Sequence, residues 1–144
     1  MVQSRFALQS LTDDDKREVL GWVCGHARRF VLVEFDVPPV ADVWDPYWFH
    51  DCAARLERGL REYGQERDLV GLGFILPVVL GRFSTTPPVN HELAISRWRQ
   101  LCVQAGFREV RAVRVVDHWW RPAYLVRAWG QGCGTGSGRG ASER

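Results

Sequence analysis

The sequence predicts an α/β fold in which two parallel strands precede a C-terminal antiparallel hairpin, with helices on both faces of the sheet. Two observations carry this prediction. A short apolar run (residues 5–11), a helical pattern and a longer apolar run (residues 29–37) follow each other in the order of a parallel strand–helix–strand unit. Near the carboxyl end, REVRAVRVV and AYLVRAW have the composition of strands, and the short segment DHWWRP between them predicts a hairpin.

The first helix has a clear start. Thr12 stands where a capping residue is expected, acids fill the first turn, and Asp15 occupies the capping-box position. Val19, Leu20 and Val23 then share one face. The run at 29–37 has no polar alternation, which is typical of a strand covered on both faces.

Two further helices are indicated by caps and apolar spacing. Asp45 caps the second and Pro46 takes its first position; its apolar stripe comprises Phe49, Cys52, Ala53, Leu56 and Leu60, and Gly64 ends it. Residues 68–83 are apolar but interrupted by glycines, which predicts an irregular helix or lid. The last helix lies within residues 92–107 and ends at Gly106; its apolar positions are Ile95, Trp98, Leu101, Cys102 and Ala105.

Length and composition indicate the number of domains and the kinds of partner to expect. With 144 residues we expect one domain over residues 1–129 and a disordered Gly/Ser-rich tail over residues 130–144. The net charge is +2, Lys16 is the single lysine among 19 basic residues, and the scattered arginines form no nucleic-acid footprint. No apolar run reaches membrane-spanning length, and no secretory signal is visible. We therefore expect neither nucleic acid nor membrane as a partner.

The four cysteines, Cys24, Cys52, Cys102 and Cys133, form no pair motif and no spaced cluster with histidine. This pattern favours unpaired thiols in a reducing cytoplasm, and no zinc site is expected.

Four segments together resemble the carboxyl-terminal half of a class I S-adenosylmethionine-dependent methyltransferase. They are FALQSLTDDDKREVL, FVLVEFDVP, WRQLCVQAGFREVRAVRV and DHWWRPAYLVRAW, and the resemblance covers about residues 5–129. It implies a partial Rossmann-like sheet whose last strand is inserted antiparallel beside the family's fifth strand. It also implies S-adenosylmethionine as the cofactor and a small molecule as the substrate.

The resemblance also implies that this chain does not supply the family's cofactor-binding elements. Family members hold the cofactor with a glycine-rich turn after the first strand and an acid at the end of the second, and the segments matched here come after both. We expect a truncated or split enzyme that is inactive alone, with its other half in a second chain. The glycines of GCGTG (residues 132–136) follow a strand but open no helix, so they predict a linker rather than a cofactor cradle.

The candidate site residues lie at expected strand ends. Ligands of open α/β sheets bind beyond the carboxyl ends of the strands. There, Trp119, Trp120 and Tyr124 are candidates for an aromatic substrate wall, and His118 for a catalytic base. Packing of the same rings against the preceding helix is the alternative.

Three more positions complete the candidate substrate site. Glu34 is the sole acid inside the buried strand, so it either contacts substrate or forms a salt bridge with an arginine. Gln9 follows the first expected strand, and Trp48 stands at the start of a helix where it roofs a pocket or anchors the helix.

Two functions follow as hypotheses. The first is the substrate-side half of a small-molecule methyltransferase. The second is a non-enzymatic remnant that binds a small molecule or a protein. In either case we expect an apolar sheet edge at FALQSL that pairs with a second chain or with another copy of this one.

Overall fold

The computed structural model describes residues 1–42, 44–84 and 90–130. Its four strands form one mixed sheet: β1 (Val2–Arg5), β2 (Arg29–Phe35), β3 (Glu109–Asp117) and β4 (Pro122–Trp129). The strand order is β1-β2-β4-β3. β1 is parallel to β2, and β4 is antiparallel to both β2 and β3, so the last strand of the chain lies inside the sheet.

Five helices accompany the sheet within the described residues. They are α1 (Asp13–His26), α2 (Pro46–Arg61), α3 (Arg67–Val70), α4 (Leu76–Ser84) and α5 (Ile95–Gln104). A π-helical turn at Gly71–Ile75 joins α3 to α4, which confirms the irregular helix expected there. None of these helices has the length and apolar content needed to cross a membrane.

The core lies between one face of the sheet and the helices α1 and α5. Phe30, Leu32 and Val126 of the sheet are at most 1% exposed, as are Trp98 and Leu101 of α5. Leu20 and Val23 of α1 belong to the same cluster. Since this cluster contains the apolar residues predicted for both helices, the helical spacing correctly identified the faces that pack on the sheet.

Local signals for helix ends are confirmed. Thr12 and Asp15 form the expected capping box at α1, and the Asp45 side chain accepts the Trp48 backbone N–H at the start of α2. Gly106 follows α5 with a φ of 101°, in the left-handed region that favours glycine.

The first strand was predicted at the wrong place. β1 occupies Val2–Arg5, so only Arg5 of the expected run 5–11 lies in it, and the following residues form a turn with a 3₁₀ segment at Leu8–Ser10. Phe6 has a φ of 50°, which no strand residue adopts, and its ring stacks on Phe35. The expected apolar edge at FALQSL is therefore absent, and the outer strands of the described sheet are β1 and β3.

Two burial predictions were also wrong in part: that the second strand is covered on both faces, and that the whole apolar stripe of the second helix is buried. β2 alternates between buried and half-buried residues, because α1 and α5 cover only the face that carries Phe30 and Leu32. In α2 only Cys52 and Gly59 are buried, while Phe49 is 49% exposed. Gly130, the first residue of the predicted Gly/Ser-rich tail, donates its backbone N–H to the Arg28 carbonyl at 3.1 Å. The rest of that tail, with the GCGTG segment and Cys133, lies outside the described residues.

Candidate functional site

The carboxyl ends of the two parallel strands β1 and β2 lie side by side and open onto three loops. The turn after β1 holds Gln9, the segment before α5 holds His91 and Glu92, and the β3–β4 turn holds residues 118–121. The His91 backbone N–H donates to the Gln9 carbonyl over 2.7 Å, which joins the first two loops. Ligands of α/β sheets bind at this kind of edge, which makes its polar side chains the candidates for a binding site.

Glu34 is the buried acid at this edge. It lies at the end of β2 on the core face and is 2% exposed. Burial raises the pKa of Glu34 to about 7; the nearby Glu92 carboxylate raises it further, whereas a backbone hydrogen bond from Leu8 and the charge of Lys16 oppose the rise. Its Oε1 has no hydrogen-bond partner among the described residues. Glu34 therefore exchanges a proton near neutral pH.

The salt bridge considered for Glu34 is not formed with any described arginine. The cation that acts on it is Lys16, which is 0% exposed. Lys16 Nζ donates to the carbonyl oxygens of Leu11 at 2.5 Å and His91 at 2.6 Å, and lies 5.5 Å from the centre of the Trp98 ring. Burial lowers the pKa of Lys16. Lys16 thus holds the loops on both sides of Glu34 in place.

Two more buried polar atoms near β1 lack partners in the described structure. They are Oε1 of Gln9, in the turn after β1, and Oγ of Ser4 within β1. Ser4 is paired with Leu32, two residues before Glu34 on the same face of β2. Unpartnered buried polar groups are rare, and three of them at one strand edge mark a place suited to a polar ligand group.

Asp36 ties the same edge to α5. Its Oδ1 accepts the Ile95 backbone N–H over 2.8 Å, which satisfies one orphan donor at the start of α5. The Val37 backbone N–H donates to the Leu93 carbonyl at 3.2 Å. A groove of about 520 Å³ opens beside these contacts, and Glu92 and Leu93 are among its lining residues. Glu92 therefore faces this groove and also acts on Glu34.

The β3–β4 turn supplies the predicted aromatic residues. His118 is half-buried between the rings of Phe35 and Trp119, with centroid distances of 5.1 and 5.0 Å. Its Nδ1 accepts the Trp120 backbone N–H at 3.2 Å, and burial lowers the pKa of His118. The lowered pKa favours the neutral imidazole, which is the form that accepts a proton, and the role of His118 as a base stays a prediction.

The two tryptophans have different surroundings. Trp120 is 6% exposed, and its Nε1–H donates to Oε1 of Glu92 at 3.2 Å. Trp119 is half-buried and packs on Gly59 of α2. Tyr124 stands opposite Glu34 across β2 and β4 and packs on the core cluster. Packing therefore explains much of this aromatic set, while Trp120 also reaches the Glu34 region through Glu92.

Arg121 links the β3–β4 turn to α2. It is 4% exposed, its Nη1 forms an ion pair with Asp51, and its Nη2 lies 3.6 Å from the Cys52 sulfur. The guanidinium carbon lies 4.1 Å from the Trp48 ring centre and 5.3 Å from that of Trp120. Trp48 is thus connected to the predicted aromatic residues through a buried arginine.

The predicted site residues form two neighbouring groups. Gln9, Glu34 and Tyr124 lie at the strand edge, whereas Trp48 and residues 118–120 surround the hairpin turn. Glu92 connects the groups, and sequence reasoning missed it together with Lys16, Arg121 and Asp51. A signal for Lys16 was available, because it precedes Leu20 and Val23 on the apolar face of α1.

The described residues contain no cluster of metal-ligating side chains, and Cys24 and Cys102 are free thiols. No model of a known protein family matches the chain, and no curated protein sequence matches it either.

The described residues do not fit an S-adenosylmethionine cradle. Such a cradle needs glycines that let the backbone approach the cofactor, followed by a helix start. The turn after β1 contains no glycine, and Phe6 and Leu8 occupy its first positions. The loop after β2 leads through Pro38 and Pro39 to α2, again without glycine. What this edge offers is the buried carboxyl group of Glu34 and a groove of about 520 Å³.

Proposed function

We propose that this chain is the substrate-side half of a methyltransferase-like fold that acts on a small molecule, with Glu34 as the proton acceptor. The observation that carries the proposal is the position of β4. The last strand lies antiparallel between β2 and β3, and both of these run parallel to β1. The resemblance of the sequence to class I methyltransferases implies this arrangement, in which the last strand is inserted beside the family's fifth.

Glu34 suits proton removal from a substrate nucleophile. A general base works best when its pKa lies near the ambient pH, and the pKa of Glu34 is about 7. Its Oε1 has no partner among the described residues and, because Glu34 is 2% exposed, it accepts a hydrogen bond from a substrate hydroxyl, amine or acidic C–H only after the adjoining loops move apart. Lys16 and Asp36 hold the adjoining loops, so that the nucleophile meets a fixed carboxylate.

The methyl donor S-adenosylmethionine is bound elsewhere, because the described residues lack the glycine-containing turn and helix start that its binding needs. We infer that a second segment or chain binds S-adenosylmethionine and that the 144 residues alone transfer no methyl group. Among the described residues no strand pairs with the outer side of β1, and there such a partner, or a second copy of the chain, would extend the sheet. Burial of at least about 1,000 Å² is expected for that contact.

The experiment is to express the chain alone and joined to whatever the genomic DNA upstream of Met1 encodes. S-adenosylmethionine binding is measured by titration calorimetry, and transfer of labelled methyl groups is measured with a small-molecule extract. We expect no binding to the chain alone up to about 1 mM and micromolar binding to the joined protein. In the joined protein, Glu34→Gln keeps cofactor binding and lowers transfer by a factor of about 10²–10⁴.

Two results would overturn the proposal: micromolar cofactor binding by the chain alone, or undiminished transfer by the Glu34→Gln protein. A second candidate function is small-molecule or protein binding without methyl transfer. The poor fit to a cofactor cradle favours it. It predicts that compounds of the extract bind the chain, while labelled methyl groups are never transferred by the joined protein.

A further inference from the structure

A second groove lies away from Glu34, between the loop after β2 and the start of α2. Its volume is about 490 Å³, and we call it the α2 groove. Pro38, Pro39, Tyr47 and Trp48 line it with apolar surface. Tyr47 is 88% exposed, so its ring is accessible to a ligand. The volume and the aromatic lining are in the range of small-molecule sites.

The charges of the α2 groove are unbalanced. Three lining residues are acids and one is basic. Asp51 is neutralised by its ion pairs with Arg121 and Arg55. Asp42 and Asp45 accept backbone N–H groups of Trp44 and Trp48 but form no ion pair with a basic side chain in the described structure. Two carboxylates without a counter-cation therefore stand next to aromatic rings, which is the surrounding that organic cations prefer.

Arg121 adds an independent observation. It lines the groove, is 4% exposed, and has an Nε–H without a hydrogen-bond partner among the described residues. Its two terminal nitrogens are engaged by Asp51 and Cys52. An unpartnered buried donor is costly, and an acceptor oxygen from a ligand would satisfy it.

We propose that the α2 groove binds a small organic ammonium compound that carries an aromatic ring and a hydrogen-bond-accepting oxygen. The ammonium group lies beside Asp42 and Asp45, the ring packs on Tyr47 and Trp48, and the oxygen accepts from Arg121. This site is distinct from the Glu34 site, and binding to it does not depend on methyl transfer.

Three probes of matched size test the proposal. 2-Phenoxyethylammonium has all three features, 2-phenoxyethanol lacks the charge, and 3-phenylpropylammonium lacks the ether oxygen. Each is titrated into ¹⁵N-labelled full-length chain, and the indole N–H signal of Trp48 is followed by NMR. We expect the neutral probe to bind about tenfold more weakly and the probe without oxygen several-fold more weakly.

Isosteric variants show whether a loss of binding comes from the removed charge or from a disturbed fold. Asp42→Asn and Asp45→Asn keep the side-chain oxygens that accept the backbone N–H groups, since asparagine caps as well as aspartate. The double variant is expected to bind 2-phenoxyethylammonium at least about fivefold more weakly, with binding of 2-phenoxyethanol unchanged. Glu18→Gln, at an exposed position of α1, removes one negative charge outside the groove, as each of the two single variants does inside it, and should leave both affinities unchanged.

The proposal is overturned if the charged and neutral probes bind equally, or if neither shifts the Trp48 signal. It is also overturned if the double variant retains the affinity of the unmodified chain. A drop of the same size in Glu18→Gln would show that only the net charge of the protein matters, which again contradicts a built site.

Discussion

The side chain of Trp119 lies directly on Gly59 of α2. A Cβ added to Gly59 would lie 2.5 Å from Cγ of Trp119 and 2.7 Å from its Cβ, closer than real Cβ atoms approach. Gly59 is accordingly one of two buried residues of α2. The absence of a side chain at this position lets α2 approach the β3–β4 turn, and Arg121 reinforces the same contact through Asp51.

Gly59→Ala should therefore destabilise the protein, although alanine is the better helix former. The added methyl group must displace a packed indole, and we expect a loss of about 1–3 kcal/mol in the free energy of unfolding. Chemical denaturation measures it. Gly21→Ala in α1 is the matched control, because nothing lies within 4 Å of its added Cβ, and it should stabilise by about 0.5–1 kcal/mol. Equal responses of the two variants would refute the tight contact.

Asp51→Ala should leave the Arg121 guanidinium buried without its anionic partner. Because the Asp51 side chain is itself 43% exposed, water partly compensates, and we expect a loss of about 2–3 kcal/mol rather than the larger cost of a fully buried pair. Asp14→Ala removes the partner of an exposed arginine, Arg17, and should change stability little. Thermal and denaturant unfolding of both variants provide the comparison, and a harmless Asp51→Ala would contradict the role assigned to Arg121.

Lys16→Met should loosen the loops around Glu34. The substitution keeps the apolar stem but removes the donors to the Leu11 and His91 carbonyls, and we expect a loss of about 2 kcal/mol in stability. It also raises the pKa of Glu34 further, since the Lys16 charge lowers it. Arg17→Met, one residue later on the exposed side of α1, is the control. If amide hydrogen exchange at residues 8–11 and 91 is the same in both variants, Lys16 does not hold these loops.

Glu34 should give the stability of the protein a characteristic dependence on pH. The folded chain keeps the Glu34 proton up to a pKa of about 7, whereas the unfolded chain releases it near the ordinary value of 4.5. The folded state thus binds more protons between these values, so stability falls as pH rises from about 4.5 to 7, by an amount on the order of 3 kcal/mol.

Glu34→Gln removes this titration. The variant should be about as stable as the unmodified chain at pH 4.5 and more stable at pH 8, so that the difference between the two proteins grows across the window. Denaturant unfolding at four pH values measures it, with Glu18→Gln as the control that retains the original slope. A constant difference between pH 4.5 and 8 would show that Glu34 titrates normally in the folded state.

Much of the fold could be predicted because its signals are local. The Thr12–Asp15 capping box, the Asp45–Pro46 start of α2 and the stop at Gly106 each depend on a few neighbouring residues. The helical spacing of Ile95, Trp98 and Leu101 likewise needs no partner to be recognised. β1 was misplaced because Phe6 and Leu8 look like strand residues, although the chain bends at Phe6.

The site was predicted less completely because its key contacts join distant parts of the chain. Glu34 was identified as a lone acid in an apolar strand, but its neighbour Glu92 is 58 positions away in the sequence and gives no local signal. Arg121 stood inside the DHWWRP segment, yet its importance depends on Asp51, 70 positions earlier. Only the folded arrangement shows that a buried arginine and a buried lysine organise the two groups of site residues.

The most direct test of the account is the titration of Glu34 itself. The side-chain carboxyl carbon of Glu34 is assigned by ¹³C NMR through the signal lost in Glu34→Gln, and its chemical shift is followed from pH 3 to 9. The account predicts a midpoint near pH 7, as required of a buried proton acceptor at the strand edge. A midpoint near 4.5 would contradict it, because Glu34 would then be an ordinary ionised carboxylate at neutral pH.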